Sequence, residues 1–75
     1  MKVKKFSIIF FFNGEEYNLQ TFKMFNINDL LKFFNFKQSL VVLEYNGKIL
    51  PTKMWSKIRL KNKDKVEIVT IVGGG

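Results

Sequence analysis

Apolar residues come in short runs whose period changes twice along the chain. Phe6 to Phe12 is an almost unbroken run of aromatic and β-branched residues, followed at once by Asn13-Gly14. That composition predicts a strand, and Asn-Gly predicts a two-residue hairpin turn, because both central positions of a type I′ turn need positive φ. Glu15 to Leu19 is the returning strand, with Tyr17 and Leu19 on one face. The period then lengthens. Ile27, Leu30, Leu31 and Phe34 recur at spacings of three and four and form one helical face. Asn26 is a suitable N-cap, and Asp29 stands where the acidic member of a capping box belongs. A helix is expected from Ile27 to Asn35.

Strand character returns at Leu40 to Tyr45, followed by a second Asn-Gly turn, Asn46-Gly47, and a short strand from Lys48 to Leu50. Pro51 ends it, since proline cannot donate to a ladder. Thr52 to Lys63 reads as a loop with one turn of helix, in which Trp55 is a core or loop anchor. Asn62-Lys63-Asp64 reads as a turn with Asp64 as its former. Val66 to Val72 is the last strand. The predicted order is β-β-α-β-β-β, an α+β chain whose mixed sheet packs on one helix. Alternation puts Ile8, Phe10 and Phe12 on one face, Val41, Leu43 and Tyr45 on one face, and Val66 and Ile68 opposite Glu67 and Val69. One helix covers only one side of a sheet. An exposed apolar patch of Phe11, Val42, Val69 and Ile71 is therefore expected on the other side, either as a docking surface for a partner or as a face covered by a loop or by self-association.

Composition narrows the chemistry. The 75 residues suffice for one small domain, and 47% hydrophobic content argues against disorder. The chain has neither cysteine nor histidine, which removes disulfides, thiolate chemistry, the usual general base and the commonest metal ligand. Net charge is +7, and Arg59 is the single arginine among 13 basic residues. Lys57, Arg59, Lys61, Lys63 and Lys65 form a basic run shortly before the C-terminus that either steers an acidic partner or is simply a solvated face. Phe, Ile, Asn and Lys all have AT-rich codons, so an AT-rich genome such as a plastid's accounts for many of the lysines without any function. The opening "MKVKKFSIIFFFNG" has lysines before an apolar run, but the run is too short to span a bilayer and lacks a small-residue cleavage site. It is expected to be a strand of a soluble, intracellular protein.

The chain closes on "TIVGGG". Glycine adds no packing and loses the most backbone freedom on ordering. Three in succession serve a slender extension better than a fold, so residues 1–72 are read as the domain and residues 73–75 as a flexible tail. An expression scar or a frayed end is the rival reading. Extended at about 3.3–3.6 Å per residue, Gly73, Gly74 and Gly75 reach about 10 Å. A narrow channel admits such a tail because no Cβ widens it.

These elements together resemble the ubiquitin-like β-grasp domains, and among them the ThiS family of sulfur carriers of thiamin thiazole synthesis. The resemblance rests on Asn13-Gly14, the helix opening "NINDLL", the segment "VVLEYNGKILP", Trp55, Asp64 and the ending "VEIVTIVGGG". Departures are the Asn62-Lys63 turn, a longer and more aromatic first strand, and a higher basic charge. The resemblance implies a carrier with no active site and no bound cofactor. An E1-like (ThiF-like) adenylating enzyme would use ATP to activate the Gly75 carboxylate, with Gly74 in its grip and Gly73 threading. A cysteine desulfurase relay would supply sulfur for a thiocarboxylate, and a ThiG-like thiazole synthase would receive it. It implies no nucleic acid and no membrane, and a location in the cytoplasm or plastid stroma. The small subunit of molybdopterin synthase shares the Gly-Gly ending but tends to carry prolines where Thr70 and Ile71 stand here. A ubiquitin-like modifier would use the same terminus. A small basic nucleic-acid-binding module is a further alternative that leaves the glycines unexplained.

Overall fold

The structure, a computed structural model, describes residues 4–70. The five strands are β1 (Phe6–Phe12), β2 (Glu15–Thr21), β3 (Val41–Tyr45), β4 (Lys48–Ile49) and β5 (Lys65–Thr70), and the helix α1 spans Ile27–Phe33. They form one mixed sheet in the order β2-β1-β5-β3-β4, with β1 and β5 parallel and the other pairs antiparallel. This is the β-grasp arrangement expected from the element order.

Both Asn-Gly turns take the backbone that their residues favour. Asn13 and Gly14 have φ of 50° and 84°, and Asn46 and Gly47 have 50° and 88°. Helix α1 starts with a complete capping box. The Asp29 N–H donates to Asn26 Oδ1 at 2.8 Å, and the Asn26 N–H donates to Asp29 Oδ2 at 3.0 Å. The helix is shorter than its apolar period suggests. Asn35 lies at φ 64°, outside the helix, and the last turn closes as a Schellman motif. There Phe36 N–H donates to Leu31 O and Asn35 N–H to Lys32 O. Asn tolerates the left-handed backbone, so it stops the helix that the pattern alone carries to Asn35.

Other boundaries shift by one or two residues. β2 runs on to Thr21, whereas Leu40 belongs to a 3₁₀ turn at Gln38–Leu40, so β3 begins at Val41. β4 ends at Ile49, one residue short of the expected Leu50, and Thr52–Met54 forms the expected single helical turn. β5 begins one residue early, at Lys65. Its expected continuation through Ile71 and Val72 lies outside the described residues.

The core forms between α1 and the inward face of the sheet. Ile27, Leu30 and Leu31 pack with Ile8, Phe10, Phe12, Val41, Leu43, Val66 and Ile68, joined by Leu60 and Trp55 from the loop before β5. Complete burial of an aliphatic side chain stabilises by about 1.5–3 kcal/mol relative to exposure. Trp55 is the expected core anchor, and its indole N–H donates to Leu50 O at 2.9 Å. The unusually aromatic first strand has a packing reason. Phe12 stacks on Phe34 with centroids 4.2 Å apart, Tyr17 meets Phe34 edge-on at 5.1 Å, and Phe10 stacks on Tyr17 at 5.6 Å. This aromatic group seals the C-terminal end of the helix against the β1–β2 hairpin.

Candidate functional site: the outer sheet face beside the C-terminal strand

β5 occupies the centre of the sheet, and the asparagines of both turns help set its register. Asn13 Oδ1 accepts from Ile68 N–H at 2.8 Å, and Asn46 Oδ1 accepts from Lys65 N–H at 2.8 Å. A third asparagine aligns the chain leading into β5, where Asn62 Oδ1 accepts from Ile9 N–H at 2.8 Å. Asp64 is buried at the start of β5. Its carboxylate accepts from the Tyr45 hydroxyl, from Asn46 Nδ2 at 3.1 Å and from Lys61 N–H at 2.7 Å. It is a turn former, as expected, and also a clamp onto β3. Burial, and then the hydrogen bond to Asp64 and its negative charge, push the Tyr45 phenol well above its usual range.

The helix leaves the opposite face of the sheet open, and that face is ordered in rows by strand register. The row nearest Thr70 is the cross-strand pair Val42–Val69, 40% and 68% exposed. The next row is Glu44–Glu67, with Ile49 of β4 paired to Glu44 and 69% exposed. Beyond it lies Phe11 of β1, in register with Lys65. Val42, Val69 and Ile49 thus border a shallow depression also lined by Asn13, Glu44 and Glu67. Two carboxylates directly opposite each other repel, so this pairing works against the stability of the sheet.

The four residues expected to form one patch are not one surface. Val42 and Val69 meet. Phe11 is only half-buried but lies four residues along β5 from Val69, roughly 13 Å at 3.3 Å per residue, with Glu67 between. The parallel pairing of β1 with the start of β5 causes this separation. Ile71, Gly73, Gly74 and Gly75 lie outside the described residues. Ile49 joins the patch instead. The Asn46-Gly47 turn fixes its register opposite Glu44 and carries the signal that would have found it. The basic run is also redistributed. It precedes β5, so Arg59 and Lys61 lie at the end of the sheet away from Thr70, although the sequence puts them close to the tail.

No group of three or more potential metal ligands is present among the described residues. No described helix is long and apolar enough to cross a membrane. The exposed face carries apolar side chains, Val42, Val69 and Ile49, and the carboxylates of Glu44 and Glu67.

Comparison with known proteins agrees with this geometry. The ThiS family model matches residues 11–75. The ycf40 protein of Trieres chinensis is 56% identical over 66 residues, covering 88% of each chain. The sulfur carrier protein ThiS of Bacillus subtilis is 35% identical over 49 residues, covering 65% of this chain and 74% of that one. The crystal structure of the thiamine biosynthesis protein ThiS from Geobacter metallireducens superposes with a TM-score of 0.77 at 26% identity, covering 91% of this chain and all of that one. With its five-stranded β-grasp sheet and a family match that runs through Gly75, the chain belongs to the ThiS family of sulfur carriers.

Proposed function

We propose that the protein carries sulfur for the assembly of the thiamin thiazole, as a co-substrate loaded and unloaded by other enzymes. The observation that carries this reading is positional. The exposed Val42–Val69 pair is the row of the sheet next to Thr70, the last described residue of β5, five residues in sequence before Gly75. An enzyme that takes hold of the Gly75 end has that pair among the described surfaces nearest to it in sequence.

The chemistry follows from the terminus. A carboxylate is a poor acyl donor, because attack by a nucleophile adds charge to an anion. An E1-like adenylating enzyme uses ATP to convert the Gly75 carboxylate into an acyl adenylate, releasing pyrophosphate. The outer sulfur of a persulfide on a cysteine desulfurase relay attacks the adenylate and displaces AMP, giving an acyl disulfide. A second thiol of the relay then cleaves the S–S bond, leaving the thiocarboxylate on Gly75 and a disulfide on the relay. Thiazole synthase then takes the sulfur, and the carboxylate is regenerated. The chain contributes reach, recognition and a tail without side chains. The adenylating partner presents apolar side chains to Val42, Val69 and Ile49, and a cation to the Glu44–Glu67 pair. Relatives from plastid-bearing algae support work in the plastid stroma.

The test is the intact mass of the full chain after incubation with ATP, an adenylating enzyme and a sulfur source. The expected gain is that of one oxygen exchanged for one sulfur, abolished by deletion of Gly75 with the fold retained. A covalent conjugate with another protein in place of that gain would identify a modifier and defeat the carrier reading.

A further inference from the structure

The corner of the molecule farthest from Thr70 carries a second apolar surface with the opposite charge. The connection from β2 to α1 leaves Phe22 66% and Met24 52% exposed, with Lys23 between them. Beside Met24 a groove of about 290 Å³ is lined by Phe6, Ile8, Phe25 and Leu60 and rimmed by Arg59 and Lys61. Its walls are held by backbone pairing: Leu60 N–H donates to Phe25 O at 2.7 Å, and Asn26 bridges to Arg59. Lys4 adds a cation at the mouth, with Nζ 5.5 Å from the centroid of the Phe6 ring.

The carboxylates of the chain do not balance this corner. There are six. Glu15 and Glu16 lie beside Phe12 and Phe11 at the hairpin turn, about 20 Å away along β1 at 3.3 Å per residue. Glu44 and Glu67 face the outer side of the sheet, Asp64 is buried under Tyr45, and Asp29 is engaged in the capping box. Lys4, Lys23, Arg59 and Lys61 are exposed around an apolar hollow at the small end of the usual ligand-pocket range, roughly 300–1,000 Å³.

We propose that this groove docks an acidic polypeptide segment, which seats one large apolar side chain against Phe6, Met24 and Leu60 and sets its carboxylates on Arg59, Lys61 and Lys23. The apolar walls of Phe6, Phe25 and Leu60 enclose a hollow that receives an inserted side chain. The rings that line the groove, Phe6 and Phe25, are half-buried, and its one guanidinium is Arg59, which gives nucleic acid bases little to stack on inside it. The groove and Thr70 are at opposite ends of the sheet, so a segment bound here leaves the tail free. The protein can then be held by one partner while another acts on its C-terminus. This second contact stands independently of what the tail carries.

The experiment is an NMR titration of the isotope-labelled full chain with a synthetic capped peptide, Glu-Asp-Glu-Leu-Phe-Glu-Asp-Glu. The expected result is saturable amide shifts centred on Phe6, Met24, Phe25, Leu60 and Lys61. Affinity should fall at least tenfold in Met24→Glu and again in the double variant Arg59→Glu with Lys61→Glu, and Val69→Asp should leave it unchanged. These side chains are at the surface, and the double variant carries the test should Met24→Glu perturb the fold. Absence of saturable binding overturns the proposal, as do shifts centred on Val42 and Val69. Equal binding of a peptide with serine in place of Leu-Phe also overturns it. Tighter binding of phosphatidylglycerol vesicles or a single-stranded oligonucleotide, lost in the same variants, would reassign the groove to that ligand and overturn the polypeptide.

Discussion

Asp64 holds the β3–β4 hairpin and the start of β5 together through three donors, of which the Tyr45 hydroxyl is the one that can titrate. Replacing Tyr45 by Phe leaves a buried carboxylate one donor short, which costs about 1–3 kcal/mol. Chemical denaturation of the Tyr45→Phe variant should show that loss. The phenol also makes stability depend on pH at the alkaline end. Its pKa is raised above 10.0 in the folded state, so the folded protein binds the proton more tightly than the unfolded chain does. The stabilisation is fully present below pH 10 and falls as pH rises from there through the folded pKa. Denaturation midpoints measured on both sides of pH 10 should decline for the parent chain, with a shallower decline for Tyr45→Phe. Equal slopes would mean that Tyr45 is not the group responsible.

At the scale of elements, α1 has only seven residues and is too short to persist alone, so its two ends matter more than its propensity. The capping box supplies one end and the Schellman turn at Asn35 the other. Asn26→Ala removes the acceptor for Asp29 N–H and its weak contact to Ser56 O. The expected loss is about 1 kcal/mol, which in a domain of this size lowers Tm by roughly 4–8 °C. Calorimetry checks it, and an unchanged Tm would mean that tertiary packing alone holds the helix start. Strand β5 shows the converse case, where neighbours set an element. Three asparagine side chains, at Asn13, Asn46 and Asn62, lock β5 and the chain leading into it between β1 and β3.

On the scale of the whole molecule, two surfaces of opposite character stand at opposite ends of one sheet. Val42, Val69 and Ile49 with Glu44 and Glu67 lie toward Thr70, and the Met24 groove with its cations lies away from it. Val42→Asp or Val69→Asp should weaken association with the adenylating enzyme at least tenfold, about 1.4 kcal/mol, while circular dichroism stays unchanged. Phe11→Asp should have a smaller effect, because Phe11 is separated from the pair by the Glu67 row. Unchanged affinity in both valine variants would remove the outer face from the adenylation complex.

The element order, both turns, the capping box, the inward faces of β1, β3 and β5 and the burial of Trp55 were legible in the residues. They depend on interactions within a few positions: an Asn-Gly pair at positive φ, an apolar period of two or of three and four, a side chain reaching its own first turn. The Gly-Gly ending and its likeness to sulfur carriers were legible in the same way. Which exposed residues touch was not. Sequence separation says nothing about lateral order in a sheet: the parallel pairing of β1 with β5 decided that Phe11 stands apart from Val69, and the pairing of β3 with both β5 and β4 put Ile49 beside the Val42–Val69 pair. The same folding carried Arg59 and Lys61 away from the tail they precede. Strand order is chosen by burial and hydrogen bonding summed over the entire core, and only the assembled sheet makes that choice.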